Sequence, residues 1–354
     1  MADSRVYIAG QQDHRLLSER ETEILTRIIH LYILNAAPIG SRNLAKYMGS
    51  GSRLSPATIR NVMADLEEMD YISHPHTSAG RVPTDKGYRF YVDAMSDTEH
   101  LSDSELSTVR KKLTASNTPE EVLRDASKLL GVLSNYLGVV AFPHLTDFII
   151  QKIDLIPLSS TRLLAVVALE SNIVRTVTLE AEFNINRQHI EETASYINEK
   201  LSGRTLGFVR EHFNSIITDY PRKDAPLIRL FVDSVDKIFD KQSGMDKLHI
   251  AGTQNLLEYP EFEDLSRVKG IIELIENEDI IIHLLDKHEE SDGVKVMIGK
   301  ELQNEMFTDY SMIVSSYQFG SGTGSIGLIG PKRMKYSKMI SLVKYVSDII
   351  SDQG

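Results

Sequence analysis

The segment Pro38–Tyr91, PIGSRNLAKYMGSGSRLSPATIRNVMADLEEMDYISHPHTSAGRVPTDKGYRFY, decides the fold. Ser41 is placed to cap a helix whose Leu44, Ala45 and Met48 share one face, and Gly49, Gly51 and Ser52 then turn the chain. Ser55-Pro56 is a second start signal: a hydroxyl N-cap, then proline at the first helical position, where a missing N–H costs nothing. Ile59, Val62, Met63, Leu66 and Met69 recur at helical spacing and mark the face turned inward. Thr58, Arg60, Asn61, Ala64 and Asp65 fall on the other side, and the first three can hydrogen-bond base edges or phosphates. A recognition helix needs this apolar back and polar front, although an amphipathic helix pair in any small helical domain shares the pattern.

The residues after Asp70 separate a reading head from an ordinary helix pair. Tyr71-Ile72-Ser73 reads as a strand, and the stretch from His74 to Val82 as a loop turning into a second strand. Gly80 permits a tight turn, and Arg81 is expected at its tip, in reach of a phosphate or a minor groove. Pro83-Thr84-Asp85 ends the hairpin and caps a helix from Lys86. Upstream, Ser18-Glu19-Arg20-Glu21 fits a capping box, and Ile24, Leu25, Ile28, Ile29 and Tyr32 line a supporting helix that ends near Asn35. Three helices and a two-stranded wing make a winged helix-turn-helix.

The block SPATIRNVMADLEEMDYISHPHTSAGRVPTDKGYRFYVD (Ser55–Asp93) strongly resembles the winged-helix domain of the HrcA family, bacterial repressors of heat-shock chaperone operons. The rest of the chain has the length and element order of that family. The resemblance implies an α+β, multidomain protein with a GAF-like antiparallel sheet domain interrupted by an inserted, mainly helical dimerisation domain. It implies a homodimer on double-stranded DNA at an inverted-repeat (CIRCE) operator of operons such as those for GroEL and DnaK. It also implies that the GroEL chaperonin keeps the repressor active and that heat stress releases repression. Matched to the family motif, Ser55, Thr58, Arg60 and Asn61 are the helix contacts, and His76, Thr77, Ser78 and Arg81 the wing contacts. Ser41, Arg42, Tyr88 and Arg89, with Tyr91, are expected to support the wing or touch phosphate.

Composition bounds the alternatives. A chain of 354 residues exceeds one typical core, and 42% hydrophobic with 25% charged residues is ordinary for a globular protein. No run of apolar residues is long enough to cross a membrane, and MADSRVYIAGQQDHRLL lacks the apolar segment of a signal peptide, so a cytoplasmic protein is expected. With no cysteine there are no disulfides, thiolate metal sites or cysteine nucleophiles. A net charge of −11 argues against DNA binding only until it is divided. Residues 1–93 hold eleven Lys/Arg and eleven Asp/Glu, so the whole excess lies behind the reading head. An acidic body suppresses non-specific DNA binding and leaves more of the affinity to specific contacts.

Downstream, residues 96–117 read as a polar linker with a short helix near Asp103–Leu113. Thr118-Pro119-Glu120-Glu121 starts an amphipathic helix carrying Val122, Ala126, Leu129, Leu130, Leu133 and Leu137. DFIIQKIDLIPL, TRLLAVVALES and IVRTVTLEAEF read as a three-stranded meander, which with that helix gives the first part of the GAF-like domain, 118–184. Three helical stripes, beginning at Ile190, Leu206 and Leu227, form the inserted domain, roughly 185–260. The second part, 261–354, is read as a helix Glu261–Asn277, strands at DIIIHLL, VKVMIG, SMIVSSYQF and SIGLIG, and a last helix Tyr336–Ile350. The winged head takes residues 1–95.

No catalytic constellation emerges, so no enzyme and no cofactor are expected. Gly322-Thr323-Gly324-Ser325-Ile326-Gly327 matches G-x-G-x-x-G, but Leu328-Ile329-Gly330-Pro331 cannot open the helix that a pyrophosphate needs, and a hairpin tip explains the glycines. His74 with His76, and His283 with His288, are pairs without further ligands, so metal is not expected. The competing functional reading is a ligand-responsive winged-helix factor with a small effector in the GAF-like sheet.

Overall fold

The structure, a computed structural model, describes residues 17–49, 54–75, 80–96, 98–116, 118–217, 226–234, 237–238, 248–256, 258–260, 272–273, 275–286 and 293–353. The head is α1 (Glu19–Asn35), α2 (Ser41–Met48), α3 (Pro56–Glu68), the hairpin β1 (Ile72–Ser73) and β2 (Val82–Pro83), and α4 (Asp85–Asp93). The capping box at Ser18 and Glu21 forms in both directions, and Ala36 ends α1 in the left-handed region at φ 52°. The cap of α2 is Gly40 rather than the expected Ser41, so no capping side chain covers its first N–H groups.

The polar linker is an ordered helix, α5 (Asp103–Thr114), with Val109 and Leu113 fully buried and Ser102 and Glu105 in a capping box. Lys338 Nζ lies 2.7 Å from Glu105 Oε1. Lys338 and Ser102 pull the Glu105 carboxyl down to about 2, so α5 is fastened to the C-terminal helix. Next come α6 (Pro119–Ser134) and β3 (Leu137–Ala141). The apolar stripe predicts a helix through Leu137; Asn135, left-handed at φ 59°, ends it earlier and frees Leu137 to begin a strand.

The body is a five-stranded antiparallel sheet in the order β7-β3-β10-β9-β8, with β7 at Leu248–Ala251, β8 at Val294–Ile298, β9 at Tyr310–Phe319 and β10 at Gly322–Pro331. A helical turn, α10 (Thr253–Leu256), and α11 (Glu278–Asp286) contribute Leu256, Ile281, Leu284 and Leu285 to the core beside Leu137, Val139, Met312 and Val314. Val140, Ile313, Ile326 and Leu328 belong to the other core, with α6 and α12 (Tyr336–Ser351). DIIIHLL, expected as a strand, lies in α11: so short a mainly apolar run has no clear period to tell helix from strand. The expected helix at Glu261–Asn277 falls mostly outside the described residues. The G-x-G-x-x-G run is not a hairpin tip: the tip is Gly320-Ser321, and the run lies in β10, paired with β9.

The meander β4 (Ile150–Pro157), β5 (Arg162–Leu169) and β6 (Val174–Glu180) is a separate three-stranded sheet. It packs with α7 (Arg187–Leu201), α8 (Leu206–Ile216) and α9 (Pro226–Asp233). Asn198 of α7 accepts from the Ile153 N–H at 2.7 Å and donates to the Ile153 carbonyl at 2.7 Å, satisfying the free side of edge strand β4. The main sheet is therefore interrupted after Ala141 and resumes at Leu248, which pairs with Ala141. This corrects the expected insertion at 185–260, which left the meander in the main sheet and cut β7 out of it.

Candidate nucleic-acid interface

The α3 N-terminus is built from its cap outward. Ser55 Oγ accepts from the Thr58 N–H at 3.1 Å and lies 3.0 Å from Thr58 Oγ1, with Pro56 in the first turn. Ile59, Val62, Met63 and Leu66 are buried, so the helix is held on the head by its back. Ser55, Arg60, Asn61, Ala64 and Asp65 are exposed and Thr58 is half-buried. The expected helix contacts thus share one solvent-facing surface, with donors and acceptors of the kind that read a major groove.

Beside it, a groove of about 340 Å³ runs between the start of α2, α3 and the wing base, lined by Ser41, Arg42, Asn43, Arg60 and Arg81 among others. Arg42, Arg60 and Arg81 line it together with the start of α2, whose partial positive charge favours an anion. Ser41 and Arg42, expected to support the wing or touch phosphate, both line this groove.

Arg81 is not at the wing tip. Its N–H donates to the Ile39 carbonyl, and the Ile39 N–H donates to its carbonyl, both at 2.9 Å, so the wing base gains a third extended segment. Gly80 makes this approach possible, because a Cβ there would lie 2.6 Å from the Ile39 carbonyl carbon. Arg81 Nη2 pairs with Glu67 Oε2 at 2.7 Å, and His74 Nδ1 is hydrogen-bonded to the other Glu67 oxygen. Burial raises the Glu67 carboxyl, but His74 and Arg81 outweigh it and hold the group below the ordinary carboxylate range. The remaining wing contacts, His76, Thr77 and Ser78, lie outside the described residues.

Tyr88 and Arg89 are placed differently from the expectation. Tyr88 is buried with its ring 6.2 Å from that of Tyr336. The Arg89 side chain, 9% exposed, pairs with Glu301 and Asp93 and donates to the Val296 carbonyl. Burial would lower the Arg89 guanidinium, but the two carboxylates hold it above its ordinary value. Both residues join the head to the body, where no phosphate reaches. Apart from Asp93, their partners Val296, Glu301 and Tyr336 lie more than two hundred residues away in sequence, so local patterning carries no sign of them. Glu67 has no sequence signal of its own either, being one acid among several late in α3.

Residues 16–95 match the family described as "Winged helix-turn-helix transcription repressor, HrcA DNA-binding", and residues 120–340 match "HrcA protein C terminal domain". The heat-inducible transcription repressor HrcA of Chlorobium phaeobacteroides (strain BS1) is 38% identical over 346 residues, covering 95% of this chain and 97% of that protein. The chain belongs to the HrcA family. The HrcA of Chlorobium chlorochromatii (strain CaD3) is likewise 38% identical, over 343 residues, 96% of this chain and 98% of its own. A crystal structure at 2.2 Å, titled only as that of a hypothetical protein, superposes with a TM-score of 0.64 at 28% identity over 96% of this chain and all of the other. HrcA proteins are transcription repressors, not enzymes, and the winged head is the DNA-binding domain of this one.

Proposed function

We propose that the protein represses chaperone operons as a cytoplasmic homodimer on an inverted-repeat operator of the CIRCE type. Each subunit lays the N-terminal half of α3 in the major groove of one half-site, with Ser55, Thr58, Arg60 and Asn61 toward the bases. The wing follows the flanking backbone through His76, Thr77 and Ser78. The observation that carries this reading is the exposed Arg60 and Asn61 above the buried Ile59, Val62, Met63 and Leu66. A footprint of the full chain on chaperone promoters tests it: protection of two half-sites related by a two-fold axis is expected, and uniform protection without a boundary would refute it.

Arg60→Ala or Asn61→Ala should then cost on the order of 1–3 kcal/mol on the operator while leaving random-sequence binding nearly intact. Equal losses on both DNAs would assign these side chains to phosphate instead. The GAF-like reading of the five-stranded body and the maintenance role of GroEL belong to the same proposal. In that body β3 and β10 join residues as distant as Leu137 and Ile329, and pairing over such separations folds slowly and exposes apolar strands meanwhile. Heat-inactivated protein should therefore regain operator binding faster with GroEL and ATP than without. Identical recovery would remove the chaperonin from the scheme and leave the repressor.

A further inference from the structure

We propose that Glu67 is a positioning residue for DNA binding, holding both strands of the wing to the recognition helix and withholding the charge of Arg81 from random DNA. This role rests on the DNA-binding reading of the head and deepens it. Glu67 lies two turns beyond Arg60 on the flank of α3 that faces the wing. Its carboxylate spans the hairpin, meeting His74 just after β1 and Arg81 just before β2. A single side chain thereby fixes the wing's angle to α3, and so the offset between groove reader and flanking contact. The neighbouring acids have other surroundings: Asp65, Glu68 and Asp70 line a depression beside Ser18, Glu21 and Lys86.

The electrostatic consequence follows from the groove. Arg42, Arg60 and Arg81 all line it, but Arg81 is countered by Glu67 at 2.7 Å. A cation already paired with a carboxylate displaces fewer counterions when a phosphate approaches, so it adds little to non-specific affinity. Compensating the charge of Arg81 therefore takes more from binding to random DNA, which rests on charge alone, than from binding to the operator, which adds contacts to the bases.

The test uses the full-length protein and a random-sequence duplex, with log K measured against log salt. Glu67→Gln keeps the volume and removes the charge. It should steepen the salt slope by about 0.9, the contribution of one newly available cation, and lower the operator-to-random ratio. Arg81→Gln alone should leave the slope near that of the parent protein, and Glu67→Gln with Arg81→Gln should return it there. A slope unmoved by Glu67→Gln, with operator and random binding falling together, would reduce Glu67 to structural glue and overturn the proposal. So would a steeper slope that survives in the double variant. Failure of the parent protein to bind duplex DNA at any salt would instead refute the DNA-binding reading itself.

Discussion

Arg89→Ala is expected to uncouple the reading head from the body and to cost on the order of 2–4 kcal/mol of stability. Arg89 Nε donates to Glu301 Oε1 at 2.8 Å, Nη2 reaches the other Glu301 oxygen, and Nη1 lies 3.2 Å from Asp93 Oδ1. Without the guanidinium two carboxylates face one another, and the Val296 carbonyl loses a donor at 2.5 Å. Breaking a fully buried pair costs about 3–5 kcal/mol, but Glu301 is 37% exposed and can rehydrate, which brings the figure down. Lysine should not rescue the site, because one ammonium cannot reproduce a fork that serves two carboxylates and a carbonyl. A second contact beside it gives no slack. Asp85 accepts from the Lys300 N–H at 3.1 Å and from Lys332 Nζ at 2.7 Å, and Gly299, at φ 53°, leaves the room that a Cβ would take from the Asp85 carboxylate. Calorimetry should show one cooperative transition in the parent protein and two in the variant, the head melting first. A single, unshifted transition would mean that apolar contacts such as Tyr88 on Tyr336 hold the junction without the ion pairs.

That junction also marks how far the sequence could be read. Signals that act within one turn were legible: Ser18 with Glu21, Ser55 before Pro56, and Thr118, whose hydroxyl accepts from the Glu121 N–H at 3.2 Å, all begin helices. The two faces of α3 were legible because burial follows a period of 3.6 residues, and the wing because two short strand-like runs flank a turn with Gly80. Errors came where period or range failed. The run Ile280–Leu285, with His283 its single polar residue, is too short to set a phase. The meander has clean alternation, but alternation tells which face is buried and never which sheet a strand joins. Arg89 sits among residues of the DNA-binding motif, and it is Glu301, brought in by the return of β8, that turns it inward. Arg81 departs from the expected hairpin tip for the same reason, since Ile39 and Glu67 rather than the local turn fix it.

Replacing residues 142–247 with an Asn-Gly turn should yield a monomer that binds an inverted repeat roughly 10²–10⁴ less tightly. The excision is geometrically mild. Ala141 and Leu248 are partners in the β3–β7 register, so the cut ends lie opposite one another at about 5 Å, and Asn-Gly closes such a pair as a two-residue hairpin. The body loses Phe148, fully buried beside Gly322, and the Glu170 carboxylate that accepts from the Ser321 N–H at 3.0 Å; deleting a buried phenylalanine costs about 3–5 kcal/mol, so the variant should be handled cold. An uncovered apolar surface leaves with the segment. Leu164, Val166 and Ala168 on the outer face of β5 are half-exposed, and Ile156, Leu158 and Val174 are 46%, 52% and 55% exposed. If the operator is the two-fold one proposed above, a patch of that kind is the natural seat of a symmetric partner. Without it the second half-site must be filled from solution rather than at the millimolar effective concentration of a tethered head, hence the loss of affinity. Binding to an isolated half-site should be unchanged, because the head and its junction at Arg89 are untouched. Sedimentation at micromolar concentration decides the matter: a stable dimer of the shortened chain would move the interface onto the body, where Val132 on α6 is an exposed large apolar side chain, at 72%.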